Sequence, residues 1–354
     1  MSGPVESLLE RIRSGETIAG EDLSGLDLSG LDLSGSRFEE VRAEDTDFSH
    51  ADLSGALFSD SRMKGSRWKK SLLSEAVFVN CVLDNCDFEG VNAQKTTFSG
   101  SRLDESLFSD SDLSLASLGE CSLGNAGFVR SDLTGTVFLE CRFPGTVFRG
   151  DRIVRTTFLK SDLSSVTFSE ATFDNPVFIG ADLSGIDFSG MALPRLQCSE
   201  CALRNTRWVG CDLTSGAFVR ADLSGAVFDR AHAEKAMFCG ANLSGVSARE
   251  ALFRMASFQE ATASGADFTR SDLSYSPWEK SVCRKTTFSG ADLSFCDFSW
   301  ADLEDSDFRN AKLDRADMHQ ARETGTDYEG SSRSLARETD PRRSEAENFS
   351  PHSR

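Results

Sequence analysis

Residues 20–35 read GEDLSGLDLSGLDLSG, three passes through Asp-Leu-Ser-Gly with a spacer between them. A helix repeats every 3.6 residues and a strand every two, so a period of five belongs to neither. Counting in fives from Leu23 gives Leu28, Leu33, Phe38, Ala43, Phe48, Leu53, Phe58, Met63 and Trp68. The count passes Phe158, Leu183 and Phe228 and reaches Leu303, Phe308, Leu313, Met318 and Tyr328 without an insertion. A repeat sustained over roughly 62 units decides the architecture before local propensity does.

Take each large apolar residue as the centre, i. At i−2 the residue is small, as in Ala51, Ser101, Cys121, Thr156, Ala181 and Ala221. At i−1 it is often Asp, as in Asp52, Asp182 and Asp222, and Ser or Thr and then Gly follow the centre. The centre must be buried, and the small i−2 residue points inward where room is limited. Leu-Ser-Gly-Ala suits a type II turn, whose third residue needs φ > 0, a conformation glycine takes without strain. A turn every five residues makes one side of a square coil, and four sides close it. Coils then stack by strand-like hydrogen bonds. About 15 coils at ~4.8 Å each predict one unbroken rod of roughly 70–75 Å.

Units of the form A-(D/N)-L-X-X are explicit in RADLSGAVF at 220–228 and, with Ile186 as the departure, in GADLSGI at 180–186. They resemble the pentapeptide-repeat family over about residues 21–330. The resemblance implies an all-β fold, a right-handed quadrilateral parallel β-helix. After Pro4, residues Val5, Leu8, Leu9 and Ile12 have the i, i+3, i+4, i+7 spacing of an amphipathic helix. Residues 1–20 are therefore expected to form a capping helix and lead-in, shielding the edge of the first coil. Large Leu26 and Leu31 at i−2 fit a wider first coil. Residues 331–354 are polar, mixed in charge and rich in Ser, Arg and Glu, and are expected to be disordered. No hydrophobic cap follows Tyr328, which leaves that edge open or available for end-to-end pairing.

No apolar leader or membrane-length run is present, so a cytoplasmic protein is expected, with no membrane association. The cysteines agree. Cys81, Cys86, Cys121, Cys141, Cys201, Cys211 and Cys296 fall at i−2, and Cys198 and Cys283 at i, as small core residues. Cys121 and Cys141 are one coil apart. Cys198-Ser-Glu-Cys201 has no second pair and no histidine nearby, so no metal is expected.

The chain shows no G-x-x-x-x-G-K, no nucleophile elbow and no H-E-x-x-H. His50, His232, His319 and His352 are scattered and read as outward or tail residues. Acid–base work needs a cleft that shifts carboxyl pKa values, and an uninterrupted coil offers none. No catalytic residue, cofactor or small-molecule substrate is expected. Two irregularities stand out. Asp151 occupies an inward i−2 slot, where a carboxylate needs a partner; Arg152 or Arg155 is the neighbouring candidate, and a local deformation of the coil is the alternative. In MALPRLQCSE (191–200), Leu196 is large at i−2 and Cys198 small at i, a swap expected to compensate within one coil.

A net charge of −18 disfavours direct nucleic-acid binding. Members of the resembled family mimic duplex DNA and bind DNA gyrase. A rod of that length matches about 20 base pairs, or roughly 40 phosphates. The N-terminal GEDLSGLDLSGLDLSG also resembles pentapeptide segments of bacterial type VI secretion accessories. Two readings stay open: a non-catalytic protein–protein interaction scaffold, such as an accessory of a secretion system, and a DNA-mimicking gyrase binder.

Sorting outward residues by face sharpens this. The face centred on Phe58, Phe78 and Phe98 through Phe298 is poor in bases and carries Glu39, Glu40, Asp60, Glu120, Glu140, Glu200 and Glu260. It also carries outward apolar residues: Val77, Val79, Val137, Leu139, Leu159, Val177, Ile179, Val219 and Met237. Valine at i−1 follows from strand propensity. Val79, Leu139, Leu159, Ile179 and Val219 occupy the i+1 slot, which is elsewhere mostly Ser, Thr or charged. A contiguous apolar strip marks an interaction surface, for a protein partner or a second copy of the chain. A separate basic cluster, Arg62, Lys64, Arg67, Lys69 and Lys70, faces acids on neighbouring coils. It reads as inter-coil ion pairing or as a dock for an acidic partner.

Overall fold

The computed structural model describes residues 4–347. The chain divides into two compact units, Met1–Asp182 and Leu183–Arg354. At 20 residues per turn each unit holds roughly eight turns of a parallel β-solenoid.

The first unit opens with helix α1, Pro4–Arg13. Leu8 is buried and Val5, Leu9 and Ile12 are half-buried, as a capping helix requires. Arg11 pairs with Glu16 at 2.8 Å and Glu21 at 2.6 Å, tying the helix to the first coil. Leu26 and Leu31 are half-buried. A nine-stranded parallel sheet then runs from Ile18–Ala19 to Val177–Ile179, each strand one coil beyond the last. Its register is a constant 20 residues: Phe38, Phe58, Phe78, Phe98, Leu118, Phe138, Phe158 and Phe178 are successive partners. The rings stack inside, with Phe38–Phe58 at 4.6 Å and Phe58–Phe78 at 5.1 Å. The phenylalanine ladder is core.

In the second unit, successive coils meet through single parallel bridges, from Asp187↔Arg207 to Asp317↔Arg337. Its sides are closed by tight turns such as Ala226 N–H to Leu223 O at 2.9 Å. Many i−2 slots here hold Ala (Ala221, Ala226, Ala231, Ala236, Ala241), all buried. An alanine has no polar group to lend, so the turn must satisfy its own main chain.

The first unit uses a second solution. Around Phe58, Phe78, Phe98, Phe108, Leu118, Phe128 and Phe138 the chain is a three-residue strand followed by a wider turn. The residue 23 positions on, in the next coil's i−2 slot, is Cys81, Ser101, Cys121, Ser131, Cys141, Asp151 or Ser161. Ser101 shows why. Its hydroxyl accepts the Cys81 N–H at 3.1 Å and lies 3.4 Å from Phe78 O, filling both halves of the turn bond that a tight turn would make. Cys141 Sγ donates to Leu118 O at 3.3 Å in the same way. The inward Ser and Cys residues are therefore polar bridges as well as small ones.

Left-handed backbone is needed at i+2 of nearly every unit, and glycine is often not supplied. Glu40 (φ 53°), Lys70 (φ 55°) and Trp300 (φ 57°) adopt it alongside Gly25 and Gly55. Each such non-glycine residue costs roughly 1–2 kcal/mol, offset by the buried column each turn aligns. The i−1 aspartates stiffen the turns. Asp22, Asp27 and Asp32 accept the N–H of Ser24, Ser29 and Ser34 at 3.0–3.1 Å, and the hydroxyls of those serines, then their N–H groups, hold the three carboxyls below the usual range. Each buried tryptophan has a donor's partner two residues back: Trp68 Nε1 to Ser66, Trp208 to Thr206, Trp278 to Ser276, at 2.7–2.8 Å.

Leu196 and Cys198 are both buried, and one coil on Gly216 stands at the i−2 slot; a Cβ there would lie 3.0 Å from Leu213 O and 3.1 Å from the Phe218 ring. Two local expectations change. His319 is buried, not outward. Residues 331–347, expected to be disordered, contain a 3₁₀ turn at Arg333–Leu335 and helix α2 at Pro341–Glu347. They cover main-chain groups at the edge expected to be open: Arg315 N–H reaches Leu335 O and Met318 N–H reaches Arg337 O, both at 3.0 Å. The cap is polar, which is why hydrophobicity did not reveal it. Arg333 pairs with Glu323 and Glu338 beside Tyr328, and Arg343 lies 4.7 Å over the Trp300 ring while pairing with Asp317 and Glu347. Residues 348–354 of the predicted tail lie outside the described residues.

Candidate interaction surface

The parallel register decides which outward residues meet. Leu139, Leu159 and Ile179 are direct partners on successive strands, as are Val137, Thr157 and Val177. Val137, Leu139 and Ile179 are exposed; Leu159 and Val177 are half-buried. Val77 and Val79 sit on the same sheet, but Ser99 and Gly119 intervene between Val79 and Leu139. Val219 and Met237 belong to the second unit. Val219 lines an open groove of about 580 Å³ with Cys239, Gln259, Lys280 and Trp300, and Met237 is exposed.

The acids of this face are less free than their sequence suggests. Glu140 pairs with Lys160 at 3.5 Å, Glu200 with Arg220, and Asp60 accepts from Asn80 at 3.1 Å. The basic cluster is paired likewise: Arg62 with Glu44 at 3.7 Å, Arg67 with Asp47 at 3.1 Å, and Lys69 with Glu89 at 2.7 Å and Asp87 at 3.2 Å. Lys64 adds its charge beside Asp84, and the Lys70 stem lies under Gly90. Such exposed pairs contribute little each to stability.

Asp151 is fully buried. Its Oδ1 accepts the Ser131 N–H at 2.6 Å, while Oδ2 has no partner. Burial pushes its pKa up to about 6. Arg152 is turned outward to Asp132 at 3.2 Å, and Arg155 occupies an outward left-handed turn position, so neither meets the expectation that it assists Asp151. The thiols are buried, apart from half-buried Cys239. Burial pushes Cys86, Cys283 and Cys296 up to about 12, and the hydrogen bond to Cys121 and then burial push Cys141 well above its ordinary value. Among the described residues no group of three or more His, Cys, Asp or Glu side chains is placed to hold a metal ion. No helix among them is long and apolar enough to cross a membrane.

The model of pentapeptide repeats matches eight times, over residues 22–65, 71–110, 111–150, 154–190, 209–245, 217–254, 240–274 and 280–322. The chain belongs to the pentapeptide-repeat family. No curated protein matches it. Solved pentapeptide-repeat structures do. One is the Arabidopsis thaliana thylakoid-lumen protein, 33% identical, with 28% of this chain on 65% of that one and a TM-score of 0.20. The match therefore spans somewhat less than two thirds of that relative. HetL of Nostoc sp. strain PCC 7120, involved in heterocyst differentiation regulation, is 20% identical over 89% of this chain and 97% of its own, with a TM-score of 0.18. QnrB1, a plasmid-mediated fluoroquinolone resistance protein, is 15% identical over 93% of each chain, with a TM-score of 0.19.

Sequence reasoning missed two kinds of surface residue in this pentapeptide-repeat chain. Leu107 and Val147 are exposed and flank Gly127 on a second sheet, outside the face singled out by charge. Met255, Tyr275 and Phe295 are exposed at left-handed corner positions, where glycine was expected. The signal was available: a bulky apolar residue at i+2 breaks the repeat rule.

Proposed function

We propose that this pentapeptide-repeat protein is a rigid, non-catalytic scaffold for protein–protein interaction that docks a partner along Leu139, Leu159 and Ile179. The observation that supports the reading is their register: apolar i+1 residues on consecutive strands, in a slot where the fold asks only for a small or polar side chain. Strand spacing makes the strip about 10 Å long. Association with a secretion system is a narrower form of the same reading.

A DNA-mimicking gyrase binder is the second reading, favoured by the charge of −18. The inter-coil pairs around Glu140 and Glu200 weigh against it, because they neutralise carboxylates that would stand for phosphates.

The test compares wild type with Leu159→Glu/Ile179→Glu in pull-downs from bacterial lysate, with bound proteins identified by mass spectrometry. The scaffold reading expects a specific partner that the double variant loses at unchanged melting temperature. Gyrase captured equally by both, with binding that collapses as salt rises, would replace it with mimicry.

A further inference from the structure

The second unit carries an exposed column unlike anything the repeat requires. Tyr275 and Phe295 are one coil apart and stack with ring centroids 4.7 Å apart and planes 4° from parallel. The Arg254 guanidinium lies 5.0 Å from the Tyr275 ring, and that of Arg315 lies 5.5 Å from the Phe295 ring. Cation, ring, ring, cation thus form one file roughly 15 Å long, on the strand spacing that sets each step. Main-chain hydrogen bonds at 2.9 Å, Tyr275 to Ser294 and Phe295 to Asp314, hold the register. Met255, 50% exposed, continues the file by one coil, and Tyr275 and Phe295 are 44% and 40% exposed.

Two features separate this column from coil packing. All three apolar residues have φ between 61° and 63°, the strained choice where Gly, Asn or Asp is cheaper. Left-handed corners elsewhere hold mostly glycine or polar residues, so the fold does not ask for rings there. Both arginines, moreover, are without an ion pair among the described residues, although many arginines of this acidic chain pair with a carboxylate on a neighbouring coil. Stacking fixes each guanidinium by its face and leaves its N–H edge free to bind. A groove of about 470 Å³ lined by Ser215, Glu234, Lys235, Arg254 and Met255 adjoins the end of the file, where Lys235 and Glu234 offset each other's charge and Arg254 remains the unpaired one.

We propose that this column is a docking site for an extended acidic segment of a protein partner, read as acid-x-aromatic-x-acid. A strand rises about 3.3 Å per residue, so carboxylates four residues apart lie roughly 13 Å apart and reach both guanidinium edges. The side chain between them lies on the exposed ring edges of Tyr275 and Phe295. This surface is separate from the Leu139 strip, and neither proposal depends on the other.

The experiment is selection from a random 12-residue peptide-display library on the full chain, followed by fluorescence polarisation with the most enriched peptide. Enrichment of acid-x-aromatic-x-acid is expected. Its affinity should fall at least tenfold for Arg254→Gln/Arg315→Gln and for Tyr275→Ser/Phe295→Ser, and when the peptide's acids become Gln. Melting temperatures report folding. If the aromatic pair unfolds, the arginine pair, which leaves the rings intact, still decides between binding and its loss. Enrichment that is the same on wild type and the arginine variant overturns the proposal. So does a wild-type dimer, seen by sedimentation equilibrium and lost in either variant, which would assign the column to a second copy. Tight binding of oligothymidylate that needs the same residues would overturn it as well.

Discussion

Asp151 Oδ1 accepts the Ser131 N–H at 2.6 Å, the same bond that Ser101 Oγ makes to Cys81 and Ser161 Oγ makes to Cys141. A carboxylate thus stands in a slot where the stack otherwise uses a hydroxyl or a thiol. Serine in that slot also donates to a carbonyl; an ionised carboxylate cannot.

The first prediction concerns pH. The folded pKa of Asp151, about 6, is above the ordinary carboxyl value, so the folded state holds this proton more tightly than the unfolded chain. Between about pH 4 and 6 stability should fall as pH rises, and above the folded pKa the full penalty, roughly 3 kcal/mol, remains. Asp151→Ser should raise the urea midpoint at pH 7.5 and remove most of this slope. Equal midpoint gains at pH 4.5 and 7.5 would refute the titration.

Ser106 allows a converse test. It accepts the Cys86 N–H at 3.0 Å and donates to Leu83 O at 2.6 Å. Ser106→Ala keeps the inward volume close and orphans two buried main-chain groups, at about 1–3 kcal/mol. Ala226→Ser, beside a turn that closes on itself, places a hydroxyl where Ser71 and Ser276 donate to the carbonyl three residues back, and should cost less than Ser106→Ala. Chemical denaturation of the two variants gives the comparison.

The polar C-terminal cap should matter locally. Removing residues 331–354 frees the N–H groups of Arg315 and Met318, which now bond to Leu335 and Arg337. Hydrogen exchange of those amides should accelerate by at least tenfold, while Phe228 and Phe238 stay protected. Arg343→Ala, which strips the cation from Trp300, should reproduce part of the effect.

Left-handed corners supply the fourth prediction. Lys70→Gly relieves strain at φ 55° but adds unfolded-state entropy, so its net effect should lie within about 1 kcal/mol of zero. Gly55→Val places a β-branched residue at φ 66° and should cost more than about 1 kcal/mol. Thermal melts of the pair decide it.

The period of five, read from residues 20–35, determined the architecture by itself. Only a square coil keeps Leu23, Leu28, Leu33 and Phe38 all buried, and the stretch is regular enough that no tertiary information was needed. The helical cap was legible because Leu8 and its neighbours follow a 3.6-residue rhythm. Tertiary structure decided what pattern does not encode. The division at Asp182 interrupts no repeat in the sequence. The cap at 331–347 is held by ion pairs and edge hydrogen bonds, which leave no hydrophobic signature. The Arg254–Tyr275–Phe295–Arg315 file joins residues about 20 apart through side-chain stacking, and one-dimensional spacing fixes register but not which groups touch. Asp151 lies between the two: its inward position followed from the count, but its partner, Ser131 one coil away, followed only from the stack.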